Sequence, residues 1–167
     1  MLLMRSFAAM AGMALLSAVV HAETREEQIV KYQKTLQTSK NTQARVDAIH
    51  EIAKLGQLSA KLARPVVPDL MKALNDKEAK VRAAAAHAIG QVDPEDKKEV
   101  VDVLIKLVKE DKEDAVREGA AQGLGALGPD AKEAVPALRE AAKKTTAKGA
   151  ARVYQVAIND IIGKKKG

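Results

Sequence analysis

Two sets of residues in this sequence have types and spacings that could do chemistry: glycines able to cradle a phosphate, and imidazoles and guanidiniums at regular intervals. Gly123-Leu124-Gly125-Ala126-Leu127-Gly128 spells G-x-G-x-x-G, whose glycines bring backbone amides up to a pyrophosphate when the pattern joins a strand to a helix. Here it closes a helical segment, and Ala88, Gly90 and Asp93 hold the same columns 35 residues earlier. Packing and helix termination account for these glycines, so no dinucleotide site is expected. His50 and His87 share a column as well, which on adjacent helices would set their backbones about 8–10 Å apart. Gln122 and Ala157 continue that column, and no carboxylate or cysteine completes the four ligands a closed zinc site needs. They read as helix-surface histidines, with no metal expected. Downstream of residue 22 the serines are Ser39 and Ser59, neither in a strand-turn-helix setting that would build a nucleophile and its base. Neighbouring carboxylates such as Glu26-Glu27 and Glu110-Asp111 point apart on a helix. The expectation is a protein that is not an enzyme and needs no cofactor.

The arginines carry more information. Ala44-Arg45, Val81-Arg82, Val116-Arg117 and Ala151-Arg152 each open a segment, and the arginines stand 37, 35 and 35 residues apart. The segments end Ile52-Ala53-Lys54-Leu55-Gly56, Ile89-Gly90-Gln91-Val92, Leu124-Gly125-Ala126-Leu127-Gly128 and Ile161-Ile162-Gly163. Between them runs a second series with its own register: Val67-Pro68-Asp69-Leu70, Val101-Asp102-Val103-Leu104 and Val135-Pro136-Ala137-Leu138, 34 residues apart. Repetition at this period marks a solenoid of helix pairs. Pro68 and Pro136 fit a first helical turn, where the missing N–H has no helical partner anyway.

Ser39, Asp76, Asp111 and Thr146 each precede an arginine of the column by six residues, and all are N-cap types. Gly56, Gly128 and Gly163 fall where these first-type helices should stop, with Asp93-Pro94 in the second repeat. Thr24 and Glu27 have capping-box spacing before a helix to Thr38 with Ile29, Tyr32 and Leu36 on one face. The pattern predicts eight helices: an N-terminal capping helix, three pairs and a final first-type helix from about Lys148 to Ile162. Ala83 to Ala86, Ala88, Gly90, Gly119, Gly123 and Gly125 should let first-type helices lie close together. Leu70, Leu74, Leu104, Val108 and Leu138 should fill the space between. In register, Arg45, Arg82, Arg117 and Arg152 form a ladder bonding to Asp76, Asp111 or neighbouring carbonyls, a structural role. An anion-binding ladder would require those guanidiniums to be open to solvent.

Composition agrees. Beyond Phe7 the aromatic residues are Tyr32 and Tyr154, and Ala, Leu, Val, Lys and Glu dominate, which reads as all-α with an aliphatic core. No cysteine occurs, which excludes disulfides, thiolate metal sites and lipid attachment through cysteine. Met1 to Arg5 followed by the apolar run Ser6 to Val20, with Val20-His21-Ala22 before Glu23, is a secretory signal pattern. Three parts follow: residues 1–22 as signal peptide cut after Ala22, 23–163 as repeat domain, and 164–167 as a basic tail containing Lys164, Lys165 and Lys166. A periplasmic or secreted location is expected, without a lasting membrane span. Net charge is +6, with acids and bases intermixed, too mild to define a partner.

Asp76 to Val92, Asp111 to Gly128 and Val135 to Leu138 resemble HEAT repeats, in particular the short HEAT-like repeats named after phycobilisome lyases. The resemblance implies a right-handed α-solenoid of about three and a half helix pairs plus the capping helix. It also implies that second-type helices line the concave face where partners bind. Mapped here, that face would carry Lys72, Asn75, Asp102, Lys106, Lys109, Arg139 and Lys143, five of them basic. The expected function is non-catalytic scaffolding, a cationic groove accepting an acidic protein segment rather than a small-molecule substrate. The alternative is a polyanion binder using Lys106, Lys109, Lys143 and the lysine tail. Nucleic acid is disfavoured by the export signal, the interspersed acids and the absence of an aromatic stacking platform.

Overall fold

A computed structural model describes residues 23–163; the expected signal peptide and the lysine tail lie outside the described residues. The helices are α1 (Arg25–Thr38), α2 (Thr42–Leu58), α3 (Ala60–Ala63), α4 (Val67–Ala73), α5 (Ala79–Gln91), α6 (Lys97–Glu110), α7 (Asp114–Leu127), α8 (Val135–Lys144) and α9 (Ala150–Ile161). Arg64–Val66 and Gly128–Ala134 are 3-10 turns, and no strand occurs among the described residues. These are the eight expected helices plus the single turn α3, which takes up the longer first repeat. No helix among the described residues is long and apolar enough to cross a membrane.

The chain divides into antiparallel hairpins more simply than into a cap and pairs. α1 packs on α2, α4 on α5, α6 on α7 and α8 on α9, each across a short loop, whereas α5 and α6 barely touch. The first helix is therefore the outer half of a complete hairpin. It starts on a capping box, with Thr24 Oγ1 accepting from the Glu27 N–H and Glu27 Oε2 from the Thr24 N–H.

The four hairpins stack in two unequal layers. First-type helices α2, α5, α7 and α9 run against one another along their length; of the second-type helices, α1 meets α4 and α6 meets α8 only briefly, and α4 scarcely reaches α6. Small residues cause the close approach. A Cβ on Gly123 would lie 2.1 Å from the Ala86 carbonyl oxygen, one on Gly90 2.1 Å from that of Gly123, and one on Gly119 2.5 Å from that of Ala83. Backbones in this layer meet with nothing between them. On the other side Leu70, Leu74, Leu104, Val108 and Leu138, all buried, hold the second-type helices apart. A stack with one tight layer and one spread layer bends toward the tight one, because curvature follows from the small rotation between repeats. The inner curve is the α2–α5–α7–α9 layer.

The helix ends hold two corrections. Gly56 does not stop its helix: α2 runs on to Leu58, and Gly56 is buried where a Cβ would meet Val92 Cγ1 at 2.8 Å. Gly128 and Gly163 do end helices at φ +59° and +72°, and Asp93 serves after α5 at φ +48°, a region Asp tolerates better than most residues. The predicted N-caps are displaced too. Asn41, Glu78, Glu113 and Gly149 are the caps, each two residues or more after the predicted position.

Candidate functional site

What Ser39, Asp76 and Asp111 do instead follows from their bonds. Ser39 Oγ accepts from the Asn41 N–H, Asp76 Oδ1 from Glu78 and Asp111 Oδ1 from Glu113. These are side-chain turns that fix the loop two residues ahead of the helix. They aim each carboxylate at the arginine of the preceding layer. Arg45 donates to the Ser39 carbonyl at 3.1 Å and to Asp76 Oδ1 at 3.0 Å. Arg82 donates to the Asp76 carbonyl at 2.8 Å and grips Asp111 through both oxygens, at 2.9 and 3.1 Å. Each arginine thus ties its own loop to the next. The side chains are 11% and 21% exposed in the first rung and 11% and 8% in the second. Burial pushes the Asp111 carboxyl up, but hydrogen bonds from Arg82 and the Glu113 N–H outweigh it and hold the group below its usual range. The same bond raises Arg82.

The ladder has two closed rungs rather than a column of four. Arg117 donates to the Asp111 carbonyl at 2.6 Å, as its predecessors do, but its outward nitrogen turns back to Asp114 in its own helix. Thr145 of the next layer lines the same cleft as Arg117, and its Oγ1 accepts from the Ala147 N–H in the same turn geometry as Asp76 and Asp111. Thr145 therefore fills the position assigned to Thr146. The offset to the first buried helix residue is five in each of the last three hairpins, Asp76 to Val81, Asp111 to Val116 and Thr145 to Ala150. Ala150, Tyr154, Ile158 and Ile161 are buried, matching Val116, Ala120, Leu124 and Leu127 at a period of 34. Ala151 then occupies the arginine column. Arg152 lies one position beyond it, exposed on the inner curve.

Lys72, Asn75, Asp102, Lys106, Lys109, Arg139 and Lys143 are exposed, on the second-type helices α4, α6 and α8 or, for Asn75, just past the end of α4. That layer is the spread one, so the assignment of these residues to the concave face is reversed: they form the outer side. Lys72 lies 3.8 Å from Asp69, and Asp102 bonds Lys98 at 2.9 Å. Lys106, Lys109, Arg139 and Lys143 have no ion-pair partner among the described residues.

The inner curve instead presents His50, His87, Gln122 and Val156 down one column. His87, Gln122, Ala126, Val153, Val156 and Asp160 line a groove of about 440 Å³. Burial, then the His50 charge, push the His87 imidazole below its ordinary range, and its Nε2 lies 2.8 Å from Gln91 Nε2 and so accepts from it. No cluster of three metal-ligating side chains occurs among the described residues.

Two features were missed. Asp69, the buried charged residue of the core, accepts from Gln33 Nε2 at 2.7 Å and Gln37 Nε2 at 2.9 Å, tying α1 to α4. Its signal was available: an acid in a column otherwise held by Val103 and Ala137. On the edge opposite the arginine ladder, Arg64 bonds the Asp93 carbonyl and carboxylate at 3.0 and 2.8 Å, and Lys97 bridges Asp93 to Asp130 at 3.1 and 2.7 Å. The bonds from Lys97 and then Arg64 depress the Asp93 carboxyl. Arg64, Lys97 and Asp130 stand 33 residues apart, but their types change from one to the next and the spacing falls one short of the 34 of the second helix series, which hid them.

Stacked two-helix layers tied by helix-borne arginines to loop aspartates define an α-solenoid. The family model for HEAT repeats matches residues 67–158, more than half of the chain, so the protein belongs to the HEAT-repeat family. No curated protein matches it.

Proposed function

We propose that this chain is an exported protein-binding module whose partner lies along the inner curve of the stack. HEAT repeats in general mediate protein–protein contact, and solenoids use extended concave surfaces for it. The observation that carries the reading is the division of labour in α5, α7 and α9. Their buried faces include the small residues that let these helices pack closely, Ala86 and Gly90 in α5 and Gly119 and Gly123 in α7, while the residues on the inner curve differ from layer to layer: His87, then Gln122, then Val156 with Asp160. A surface built this way has a constant scaffold and a variable face, which suits recognition of one extended partner segment. Nothing in the groove brings a nucleophile, a base and an orienting group together, so the reading is of binding without catalysis.

Export is part of the proposal. It is supported by the basic start, the apolar run and the small residue at Ala22, and by the capping box at Thr24, which begins the fold two residues later. Mass analysis of the chain purified from the envelope or medium should give a polypeptide beginning at Glu23. A chain retaining Met1 in the cytoplasm would defeat this part.

A photo-crosslinking amino acid at Gln122 should give an adduct with an envelope protein, and one at Lys106 should not. The reverse result would move binding to the outer face. That second reading has its own support, the cations Lys106, Lys109, Arg139 and Lys143 without ion-pair partners among the described residues, and it fits an acidic segment or a polyanion. Salt distinguishes them, since polyanion binding falls steeply with ionic strength and an apolar-centred interface does not.

A further inference from the structure

The outer layer contains the same cleft three times, once between each pair of neighbouring second-type helices. The first includes Leu36, Lys72 and Asp76, the second Leu74, Lys106 and Asp111. In both, the aspartate is the carboxylate that the preceding layer's arginine holds. The third cleft, between α6 and α8, encloses about 500 Å³ and is lined by Val108, Lys109, Arg117, Glu140, Lys144 and Thr145, with Ala137, Ala141 and the buried Tyr154 as further wall. Arg117 is there and reaches its own loop carbonyl as the others do. The carboxylate is not, because Thr145 stands in its place.

We propose that this third cleft binds a carboxylate from outside the fold, seated where Asp76 and Asp111 sit in the earlier rungs. Arg117 and Lys109 line the cleft as cations without a paired acid on another helix, and Lys144, also in the lining, is paired with Glu140. The acids that face the position are already engaged. Glu140 bonds Lys144 at 2.6 Å, which holds its carboxyl below the usual range, and Asp114 takes Arg117. Asp114 is a weak competitor: it is an i,i+3 partner whose side chain is 52% exposed, and such pairs contribute little in water. The Arg117 side chain is 26% exposed, against 11% for Arg45 and Arg82. A planar guanidinium with its inner edge fixed and its outer edge toward solvent is suited to a carboxylate. Val108, Ala137 and Ala141 give the ligand's stem an apolar wall. The ligand is thus a carboxylate on a short aliphatic stem, carried by a glutamate of a peptide or by a free small acid. The site is on the outer layer and does not depend on what the inner curve binds.

The test follows the Arg117 Nε resonance by NMR in the full folded chain, titrated with three probes: an end-blocked peptide with one glutamate, the same peptide with glutamine, and glutarate. The glutamate peptide, glutarate or both should move the resonance to saturation, and the glutamine peptide should not. Saturation by the peptide alone assigns the site to an acidic segment, and by glutarate alone to free small acids. Asp114→Asn removes the competitor and should tighten binding by about twofold to fivefold. Thr145→Asp supplies the missing rung and should weaken binding by about twofold to fivefold, while a melt confirms that the variant is folded. An Arg117 resonance that neither carboxylate moves at about 10 mM, well beyond the millimolar range of weak sites, in wild type and in Asp114→Asn, would overturn the proposal. So would equal binding by Thr145→Asp.

Discussion

The two layers of this solenoid solve the same packing problem by opposite means. In the inner layer backbone meets backbone: Gly90, Gly119 and Gly123 lie where any Cβ would strike a neighbouring carbonyl or its flanking atoms. In the outer layer helices are held off by Leu70, Leu104 and Leu138, each fully buried. One layer is tight because it lacks side chains, the other open because it is filled with them, and the curvature follows from the mismatch. The comparison also orders how each layer should fail. Overfilling should be worst inside, and hollowing should be worst outside.

The harshest test is Gly123→Val. The Ala86 oxygen lies 2.1 Å from the position of a new Cβ, and helix backbones cannot yield as a side chain can. The expected loss exceeds about 4 kcal/mol, above the usual range for overpacking, and chemical denaturation should lose its single transition as α5 and α7 come apart. Unaltered unfolding would show that the layers are not different in kind. Next comes Leu104→Ala in the outer layer, which leaves a cavity between α6 and its neighbours and should cost about 2–5 kcal/mol while keeping one cooperative transition. A melt unchanged by it would remove the claim that large side chains set the outer spacing.

Smaller again is the seam where the layers join. Asp111→Ala leaves the Arg82 guanidinium, 11% exposed, without its bidentate partner and should cost about 2–3 kcal/mol, below the full range for a buried pair because both groups lie at a loop edge. Its pH dependence has a definite sign. The folded Asp111 carboxyl sits below its ordinary value, so its contribution is complete above the unfolded value of about 3.9 and is lost as pH falls through the lower folded one. The gap in melting temperature between wild type and Asp111→Ala should be full near neutral pH and close below about pH 4. A gap that instead opened on acidification would contradict the rung.

Much of this architecture was legible because repetition prints the same requirement several times. Val81-Arg82 and Val116-Arg117, with aspartates six residues before each arginine, place two rungs and two helices from letters alone. The leucines of the outer layer and the glycines of the inner one were assigned to their packing roles by column. What the letters concealed is how the columns bend. Lys72, Lys106 and Lys109 read as groove residues by analogy, but which layer is concave depends on interhelix distance, which only the backbone contacts at Gly90 and Gly123 set. The other failure was one of register. Ala151-Arg152 copies the dipeptide that opens the earlier helices, yet Tyr154, the one fully buried aromatic among the described residues, points inward. Burying Tyr154 with Ala150 and Ile158 fixes the period at 34 and carries Arg152 out of the ladder. A core demand overrode a motif.

That register gives the smallest and most discriminating prediction. Thr145→Asp changes one residue in a loop whose Oγ1 already makes the turn bond to Ala147, a bond an aspartate can replace, as Asp76 and Asp111 do with Glu78 and Glu113. The new carboxylate would face Arg117 and draw it from Asp114, closing a third rung on a partly exposed arginine. The gain should be about 0.5–1 kcal/mol, the yield of an ion pair near the surface, seen as a melting point raised by a few degrees and lowered again by high salt. Thr146→Asp, one residue on, should do nothing of the kind, although the repeating dipeptide would choose it. If Thr146→Asp stabilised the chain and Thr145→Asp did not, the 35-residue period would hold into the last hairpin and Arg152, not Ala151, would stand in the ladder column.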